Sequence, residues 1–255
     1  DSGERGSLQT LKKIKSNFIN YKELKFKNNC NLKYPSFFNI YSKKAATHLI
    51  DGLILDQSNV LFKEEEELIQ YSYYVAGTVG LMMCDALNCE NQDAYLFAID
   101  LGIAMQLTNI ARDVLEDAKM GRRYIPGSWI DNISPHAMIR GVNDNNTEIF
   151  RTVSFGIKKL LNLADKYYYS GTQGLIFLPL KTRIAISIAS GVYRQIGIQL
   201  KLKNYCWYNG RQVTSNMTKA KVTFFKIIEE FVRNKNQKNH DPELHKFLKE
   251  IIVSE

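Results

Sequence analysis

Four polar residues on one predicted helix have the types and the spacing of a cation-binding surface. They are Gln106, Asn109, Asp113 and Asp117, all within the segment 106–117. At about 100° per residue, a continuous helix places all four on one stripe roughly 80° wide. Like charges four residues apart, as in Asp113 and Asp117, cost a helix about 0.2–0.5 kcal/mol. The stripe holds no lysine, so we interpret it as a surface that receives a cation from solution.

The donors are carboxylate and amide oxygens, which favours a hard divalent ion. Magnesium suits one or two carboxylates combined with substrate phosphates, and manganese is the second choice. The sequence has no Asp-x-Asp-x-Asp-Gly loop, which argues against a calcium site. The competing interpretation is an acidic helix face that is only solvated, as many amphipathic helices have.

Composition indicates a globular chain with one domain. Its 255 residues are 45% hydrophobic, and no linker rich in proline, glycine or serine divides them. The formal charge of +8 fits either attraction to anionic substrates or membranes, or a lysine-rich composition without a binding role. No basic stripe with interleaved aromatics suggests nucleic-acid binding, and no apolar run approaches the roughly 20 residues of a membrane span. The four cysteines form no C-x-x-C pair and are interpreted as reduced thiols of a cytosolic protein.

The hydrophobic periodicity predicts an all-α protein. We expect helices over 64–88, 92–119, 147–169 and 180–205, and a last helix that begins after Asp241. Gly171 is expected just beyond the third of these helices. The segments 122–134 and 142–146 are expected to be loops, and 203–216 is ambiguous.

The segment 71–83 is apolar on more than one face, which is typical of a helix at the centre of a bundle. Gly77 and Gly80 within it indicate close approach, either by another helix or by a ligand chain. His240 and His245 have no clustered partners in sequence and are expected at the surface.

Two motifs resemble those of the squalene/phytoene synthase family. One is the Q-L-T-N-I-x-R-D-x-x-E-D stretch at 106–117, followed by G-R-x-Y-x-P at 121–126. The other is Y-x-Y-x-V-A-G-T-V-G at 71–80. The similarity extends over about 45–230, and its wording is most like that of phytoene synthases.

This resemblance implies a single-domain isoprenoid-synthase helical bundle around a central cavity. It implies a magnesium-dependent prenyltransferase that joins two geranylgeranyl diphosphates head to head. The product would be phytoene, formed through a cyclopropyl diphosphate and without a nicotinamide cofactor, in carotenoid biosynthesis.

The resemblance also assigns roles to residues. It implies metal ligands at Asn109, Asp113 and Asp117, and tyrosines facing the reacting carbons at Tyr71 and Tyr193. Diphosphate and prenyl-chain contacts are implied for Gln106, Arg112, Arg122, Arg211, Val75, Ala76 and Gly77. For Arg112 an ion pair with Glu116 is the alternative, and for Arg122 a structural contact in a loop.

The family's first aspartate-rich motif, D-D-x-x-D, does not occur in the sequence. We therefore expect the chain, residues 1–255, to be truncated at its amino end, with Asp1 as a candidate for the last aspartate of that motif. Asp56 matches a family position, but its role is open.

Three functions stay open. Besides phytoene synthesis they are squalene or dehydrosqualene synthesis from farnesyl diphosphate, and a non-catalytic relative that acts as an assembly factor. Because prenyl substrates are strongly apolar, we expect a cytoplasmic protein attached peripherally to the inner face of the membrane.

Overall fold

The structure is a computed structural model that describes residues 2–20, 40–89, 91–233 and 239–253. These residues form α-helices, with longer connections at 120–134 and 203–215. The helices are α1 Ser2–Asn20, α2 Ile40–Leu55, α3 Glu65–Ser72, α4 Thr78–Ala86, α5 Asp93–Arg112, α6 Val114–Lys119, α7 Pro135–Asn143, α8 Thr147–Gln173, α9 Leu180–Leu202, α10 Asn216–Val232 and α11 Lys249–Val253. The described residues contain no β-strand, and an isolated bridge joins Leu61 to Arg123. The predicted all-α class is confirmed.

Helix α5 is the centre of the bundle. It packs most extensively against α8 and also contacts α4 and α9. Eleven of its 20 residues are buried, so this helix is apolar on most sides. By length and mean hydropathy it would also be able to cross a membrane, although the sequence has no uninterrupted apolar run of that length. Because 61% of its most apolar window is buried inside the bundle, the hydropathy is explained by the core.

The predicted helix 64–88 is interrupted by one wider turn. Glu64 caps α3, and the Glu67 side chain accepts hydrogen bonds from the backbone at the cap. A π turn over Tyr73–Gly77 then separates α3 from α4. The π turn packs against α5 and α2. A single π turn of this kind inserts one extra residue into a helix and is frequent at functional sites.

The glycines at 77 and 80 serve close helix packing. A Cβ atom on Gly80 would lie 2.2 Å from the carbonyl oxygen of Ala98, on α5. A Cβ atom on Gly77 would lie 3.0 Å from the Tyr73 ring and 3.3 Å from Ile99. Both glycines thus serve helix packing, and Gly80 also lines an apolar cavity.

Helix α8 starts as predicted and ends later than predicted. The Asn146 side chain accepts hydrogen bonds from the amides of Glu148 and Ile149, at 3.0 and 3.1 Å. The helix runs through Gly171 to Gln173. A Cβ atom at Gly171 would lie 2.7 Å from the Leu101 amide nitrogen, so this glycine permits contact with α5 and does not end the helix.

The remaining boundaries differ by a few residues. Helix α9 ends at Leu202, because Asn204 and Tyr205 take positive φ angles of 52° and 57°. The ambiguous region is a loop as far as Ser215, which caps α10. Asp241 caps a 3-10 turn, and α11 follows only at Lys249. Helix α7 lies just after the expected loop 122–134 and has no counterpart among the predicted helices.

Candidate active site

An apolar cavity of about 370 Å³ lies between the π turn, α4, α5 and α9. Ligand sites in proteins commonly have volumes of about 300–1,000 Å³. The wall includes Val75 and Ala76 from the π turn, Met105 from α5 and Ile186 from α9. The cavity is thus suited to a hydrocarbon chain.

Polar groups occur at one part of the cavity wall. Gln106, Asn109 and Tyr193 line it together. The Asn109 amide nitrogen donates to Gln106 Oε1 at 3.5 Å, while Asn109 Oδ1 is buried without a hydrogen-bond partner. An unpaired buried oxygen is costly, and a cation or a donor from a ligand would satisfy it.

The acidic ridge, defined as Asn109, Asp113 and Asp117, continues from this polar wall across a small irregularity. Asp113 has φ −103° and ψ 14°, which separates α5 from α6. The backbone hydrogen bonds from Asp113 to Asn109 and from Asp117 to Asp113 are nevertheless kept, at 3.0 and 2.8 Å. The three residues therefore follow one another at successive turns, as their spacing predicts.

Asp113 is neutralised by two arginines, which the sequence analysis does not anticipate. Arg112 donates from Nε and Nη2 to the two carboxylate oxygens, at 2.7 and 2.5 Å. Arg211, from the loop before α10, lies 3.0 Å from Asp113 Oδ1. The stripe itself holds no lysine, but these arginines from beside it and from a distant loop already relieve the charge of Asp113. The alternative ion pair of Arg112 with Glu116 does not form either, and Glu116 Oε2 is buried without a partner.

Asp117 has the opposite surroundings. No ion pair to it occurs in the described part of the chain. Burial, followed by the charge of Asp113, raises the pKa of Asp117 to about 7, with Asp56 and Glu116 adding to the effect and Arg122 opposing it. A carboxyl group crowded by other carboxylates is the group that a divalent cation would stabilise.

Asp56, at the end of α2, joins the site through two tyrosines. The Tyr71 hydroxyl donates to its carboxylate at 2.9 and 3.0 Å, and the Tyr124 hydroxyl donates at 2.8 Å. The two rings stack with centroids 4.9 Å apart. Burial and the nearby Asp56 charge raise the pKa of Tyr71, so it stays a donor. Arg122 donates to the Asp56 carbonyl oxygen at 2.7 Å, in agreement with the structural-contact alternative for this arginine.

The structure thus separates the predicted site residues into groups. Val75, Ala76, Gln106, Asn109 and Tyr193 line the cavity. Gly77 does not line it, because it faces the Tyr73 ring and Ile99. Tyr71 is also outside the lining, and its hydroxyl is bound to Asp56. Asp1 lies outside the described residues.

The surface prediction for His240 and His245 is wrong. Both Nε2 atoms lie against the buried carboxylate of Asp100, at 2.8 and 2.7 Å. Burial alone would raise the pKa of Asp100, but the hydrogen bonds from the two histidines hold it below its usual value. The partners come from α5, about 140 positions away, so no local sequence signal marks them. This group contains nitrogen ligands and shares no residue with the acidic ridge.

The oxygen donors of the ridge fit a divalent cation. The unpaired Asn109 oxygen and the Asp117 carboxylate are available, whereas Asp113 would have to exchange an arginine for the ion. Of the functional residues, sequence reasoning leaves Asp56 without a role. A tyrosine pair at 71 and 124 converging on one carboxylate requires three separate segments to meet, which only the fold shows.

Comparison with known proteins adds sequence relatives. The chain is 35% identical to the 15-cis-phytoene synthase of Pantoea ananas over 173 residues, which are 67% of this chain and 54% of that protein. It is also 35% identical to the phytoene synthase of Pseudescherichia vulneris over 176 residues, which are 69% of this chain and 55% of that protein. The chain spans about half the length of the curated relatives it matches.

A solved structure supports the fold. The crystal structure of a dehydrosqualene synthase in complex with ligand matches with a TM-score of 0.61 and 24% identity, over 72% of this chain and 64% of that chain. The sequence profile described as squalene/phytoene synthase matches residues 38–220, which contain the π turn, the ridge and Tyr193. The chain belongs to the squalene/phytoene synthase family.

Proposed function

We propose that the protein is a prenyltransferase that joins two geranylgeranyl diphosphates head to head to give phytoene, through a cyclopropyl diphosphate. The observation that carries the proposal is the apolar cavity whose polar wall, Gln106 and Asn109, leads into the acidic ridge. Such a site would hold the hydrocarbon chain of a substrate in the cavity and its diphosphate at the ridge. The relatives named phytoene synthases, at 35% identity, support the C20 substrate.

The acidic, basic and aromatic residues of the site would interact with different parts of the substrate. A divalent cation on Asn109, Asp113 and Asp117 would neutralise the leaving diphosphate, which is otherwise a poor leaving group. Arg112 and Arg211, at Asp113, have the geometry to bind phosphate oxygens once the cation takes that carboxylate. Tyr193, on the cavity wall, would offer its ring to a developing carbocation, an attraction of about 0.5–2 kcal/mol.

Magnesium is the cation we propose, with manganese as a substitute. Oxygen donors with room for phosphate and water are typical of magnesium sites. The ridge supplies few oxygen ligands, which leaves coordination positions for water and phosphate, as magnesium prefers.

The experiment that tests the proposal identifies the hydrocarbon product. The complete protein encoded by the gene would be incubated with radiolabelled C15 or C20 diphosphate and magnesium, with and without reduced nicotinamide. We expect phytoene from the C20 substrate, unaffected by nicotinamide, and loss of product in Asp117→Asn. Squalene or dehydrosqualene from the C15 substrate would overturn the C20 assignment. Absence of any product from a folded, magnesium-binding protein would favour the assembly-factor alternative.

We also propose that the protein attaches to the inner, cytoplasmic face of the membrane through α10. This helix exposes an apolar face about 120° wide at 100° per residue. Its members are Met217, Phe224, Phe225, Ile228, Phe231 and Val232. Phe224 and Phe231 are 61% and 68% exposed. The exposed Lys221 lies within the same arc, and the exposed Lys219 lies on the opposite side of the helix. Apolar side chains beside lysines suit the surface of a bilayer with anionic lipids.

A further inference from the structure

A second cluster of ligand-type side chains lies on the other side of the core helix. Asp100 on α5 is fully buried, and its two carboxylate oxygens face the Nε2 atoms of His240 and His245. The two imidazole centroids are 4.4 Å apart. Ser170 on α8 donates to the same carboxylate at 2.5 Å. Three separate parts of the chain thus converge on one point.

The ligand atoms of the cluster are close enough to share one ion. One nitrogen from each histidine and one oxygen of Asp100 lie within 4.8 Å of one another. Two imidazoles and a carboxylate are the set that binds zinc and similar borderline cations, with water as the fourth ligand. Magnesium and calcium prefer oxygen-only sets, so this cluster and the acidic ridge select different metals.

An ion would fit after a small movement. At metal–ligand distances of about 2.0–2.2 Å, tetrahedral ligands lie roughly 3.3 Å from one another. The present nitrogen–oxygen distances are 2.7 and 2.8 Å. Each imidazole therefore has to withdraw by about half an ångström. Its Nε2 must also carry no proton, so a neutral imidazole keeps its proton on Nδ1 and a protonated one releases a proton.

A cavity with a mostly apolar wall lies next to the cluster, on the far side of Ser170. It has a volume of about 440 Å³, and its wall includes Ser170, Asn239 and Asp241. Ser170 therefore contacts both the cavity and Asp100. Asp100, His240 and His245 themselves do not line this cavity, and Ser170 lies between it and Asp100.

We propose that Asp100, His240 and His245 bind one zinc-type divalent cation, which fastens the carboxy-terminal segment to α5. The alternative to this proposal is a hydrogen-bond clamp, in which both imidazoles donate to Asp100. A clamp needs only donors to Asp100, and Ser170 is already one. Two imidazole nitrogens and one carboxylate oxygen within 4.8 Å of one another supply the ligand number and spacing that a metal site requires.

The test is a zinc titration of the protein after removal of metals with a chelator. Wild type, Asp100→Asn, His240→Gln and His245→Gln would be compared with His136→Gln, an exposed histidine on α7 that serves as the matched control. Asparagine and glutamine keep hydrogen-bonding capacity, and circular dichroism checks that each variant is folded. Cobalt in place of zinc reports the tetrahedral site by its visible absorption.

We expect one equivalent of zinc to bind to wild type and to His136→Gln, with a rise in the melting temperature. Loss of any one ligand should weaken binding by about 100-fold or more. The Asp117→Asn variant should bind this zinc unchanged, which separates the site from the acidic ridge. Failure of wild type to bind one equivalent, or equal binding by His245→Gln, would overturn the proposal and leave a hydrogen-bond clamp. If one of the ligand variants is too unstable to purify, a histidine variant that can be purified, at 240 or 245, would be tested in its place.

Discussion

Asp113 and Asp117 are one helical turn apart, yet their carboxylates have opposite surroundings. Two arginines hold Asp113, whereas burial and neighbouring carboxylates raise the pKa of Asp117 to about 7. Before a substrate arrives, Asp113 is thus already compensated and Asp117 is not. A cation would therefore be stabilised more by the carboxylate of Asp117 than by that of Asp113.

The raised pKa of Asp117 makes stability depend on pH. Between about pH 4 and pH 7 the folded protein holds a proton that the unfolded chain has released, so the free energy of unfolding falls as pH rises through this window. We expect Asp117→Asn to be more stable than wild type at pH 8, on the order of 1 kcal/mol after allowance for partial exposure. Urea unfolding at pH 4.5, 6 and 8 measures the difference.

The control for this prediction is Asp144→Asn, a change at an exposed carboxylate after α7. It should follow the wild-type profile. A parallel profile for Asp117→Asn would show that Asp117 is ionised normally in the folded protein. Magnesium affinity should also rise between pH 6 and pH 8, because the ion competes with the proton on Asp117.

The tyrosine pair at Asp56 gives a second prediction. Tyr71→Phe and Tyr124→Phe each remove a donor to the same carboxylate. Each change should lower the free energy of unfolding by about 1–2 kcal/mol. The double variant should lose more than the sum, because Asp56 then lacks both donors, and thermal or urea unfolding of the four proteins measures this coupling. Additive losses would mean that the two hydroxyls act independently of each other.

Sequence spacing predicts part of this site and misses the rest for a physical reason. Asn109, Asp113 and Asp117 share a helix, so their relation depends on periodicity alone. Arg211 reaches Asp113 from a loop that follows α9, and Asp56 meets Tyr71 and Tyr124 from three segments. Such pairs depend on tertiary packing, which a helical period does not contain.

At the scale of elements, the contact between α5 and α8 organises the bundle. Gly171 allows the two backbones to approach, since a Cβ atom there would lie 2.7 Å from the Leu101 nitrogen. We expect Gly171→Ala to destabilise the protein by about 1–3 kcal/mol, because the overlap outweighs the gain of about 1 kcal/mol in helix propensity. Urea unfolding checks this.

Lys158→Ala, at an exposed position of the same helix, is the control and should change stability by about 0.5 kcal/mol or less. An increase in stability for Gly171→Ala would indicate that the helices separate easily at this point.

Caps and long apolar periods predict some helices well, as the start of α8 at Asn146 illustrates, whereas α1, α2, α7 and α10 have no counterpart among the predicted helices. Hydrophobic periodicity does not predict the π turn. The segment 71–83 is apolar on several faces, so its pattern does not show which side of the helix faces inward at each residue. Gly171 is misread for a related reason. A glycine near a helix end and a glycine at a helix crossing look alike until the neighbouring helix is known.

At the scale of the whole molecule, the apolar face of α10 predicts binding to membranes. We expect the protein to float with vesicles that contain anionic lipids. The double change Phe224→Ser and Phe231→Ser should lower the bound fraction by about tenfold or more, since each buried phenylalanine contributes about 1.5–3 kcal/mol. Binding should weaken with salt to the extent that lysines take part.

Phe155→Ser is the matched control, because Phe155 on α8 is 53% exposed and lies outside this face. It should float like wild type. Equal flotation of all three proteins would remove α10 from the membrane proposal.

The π turn holds one residue more than a regular helix between Ser72 and Thr78. Deletion of a single codon there would give continuous α-helix while α3 and α4 keep their rotational phase. A deletion in α4 itself, just before Gly80, would instead turn the following residues by about 100° and move Gly80 away from Ala98. A change of one residue in length at this turn would therefore alter the cavity wall while the contact between Gly80 and α5 is kept.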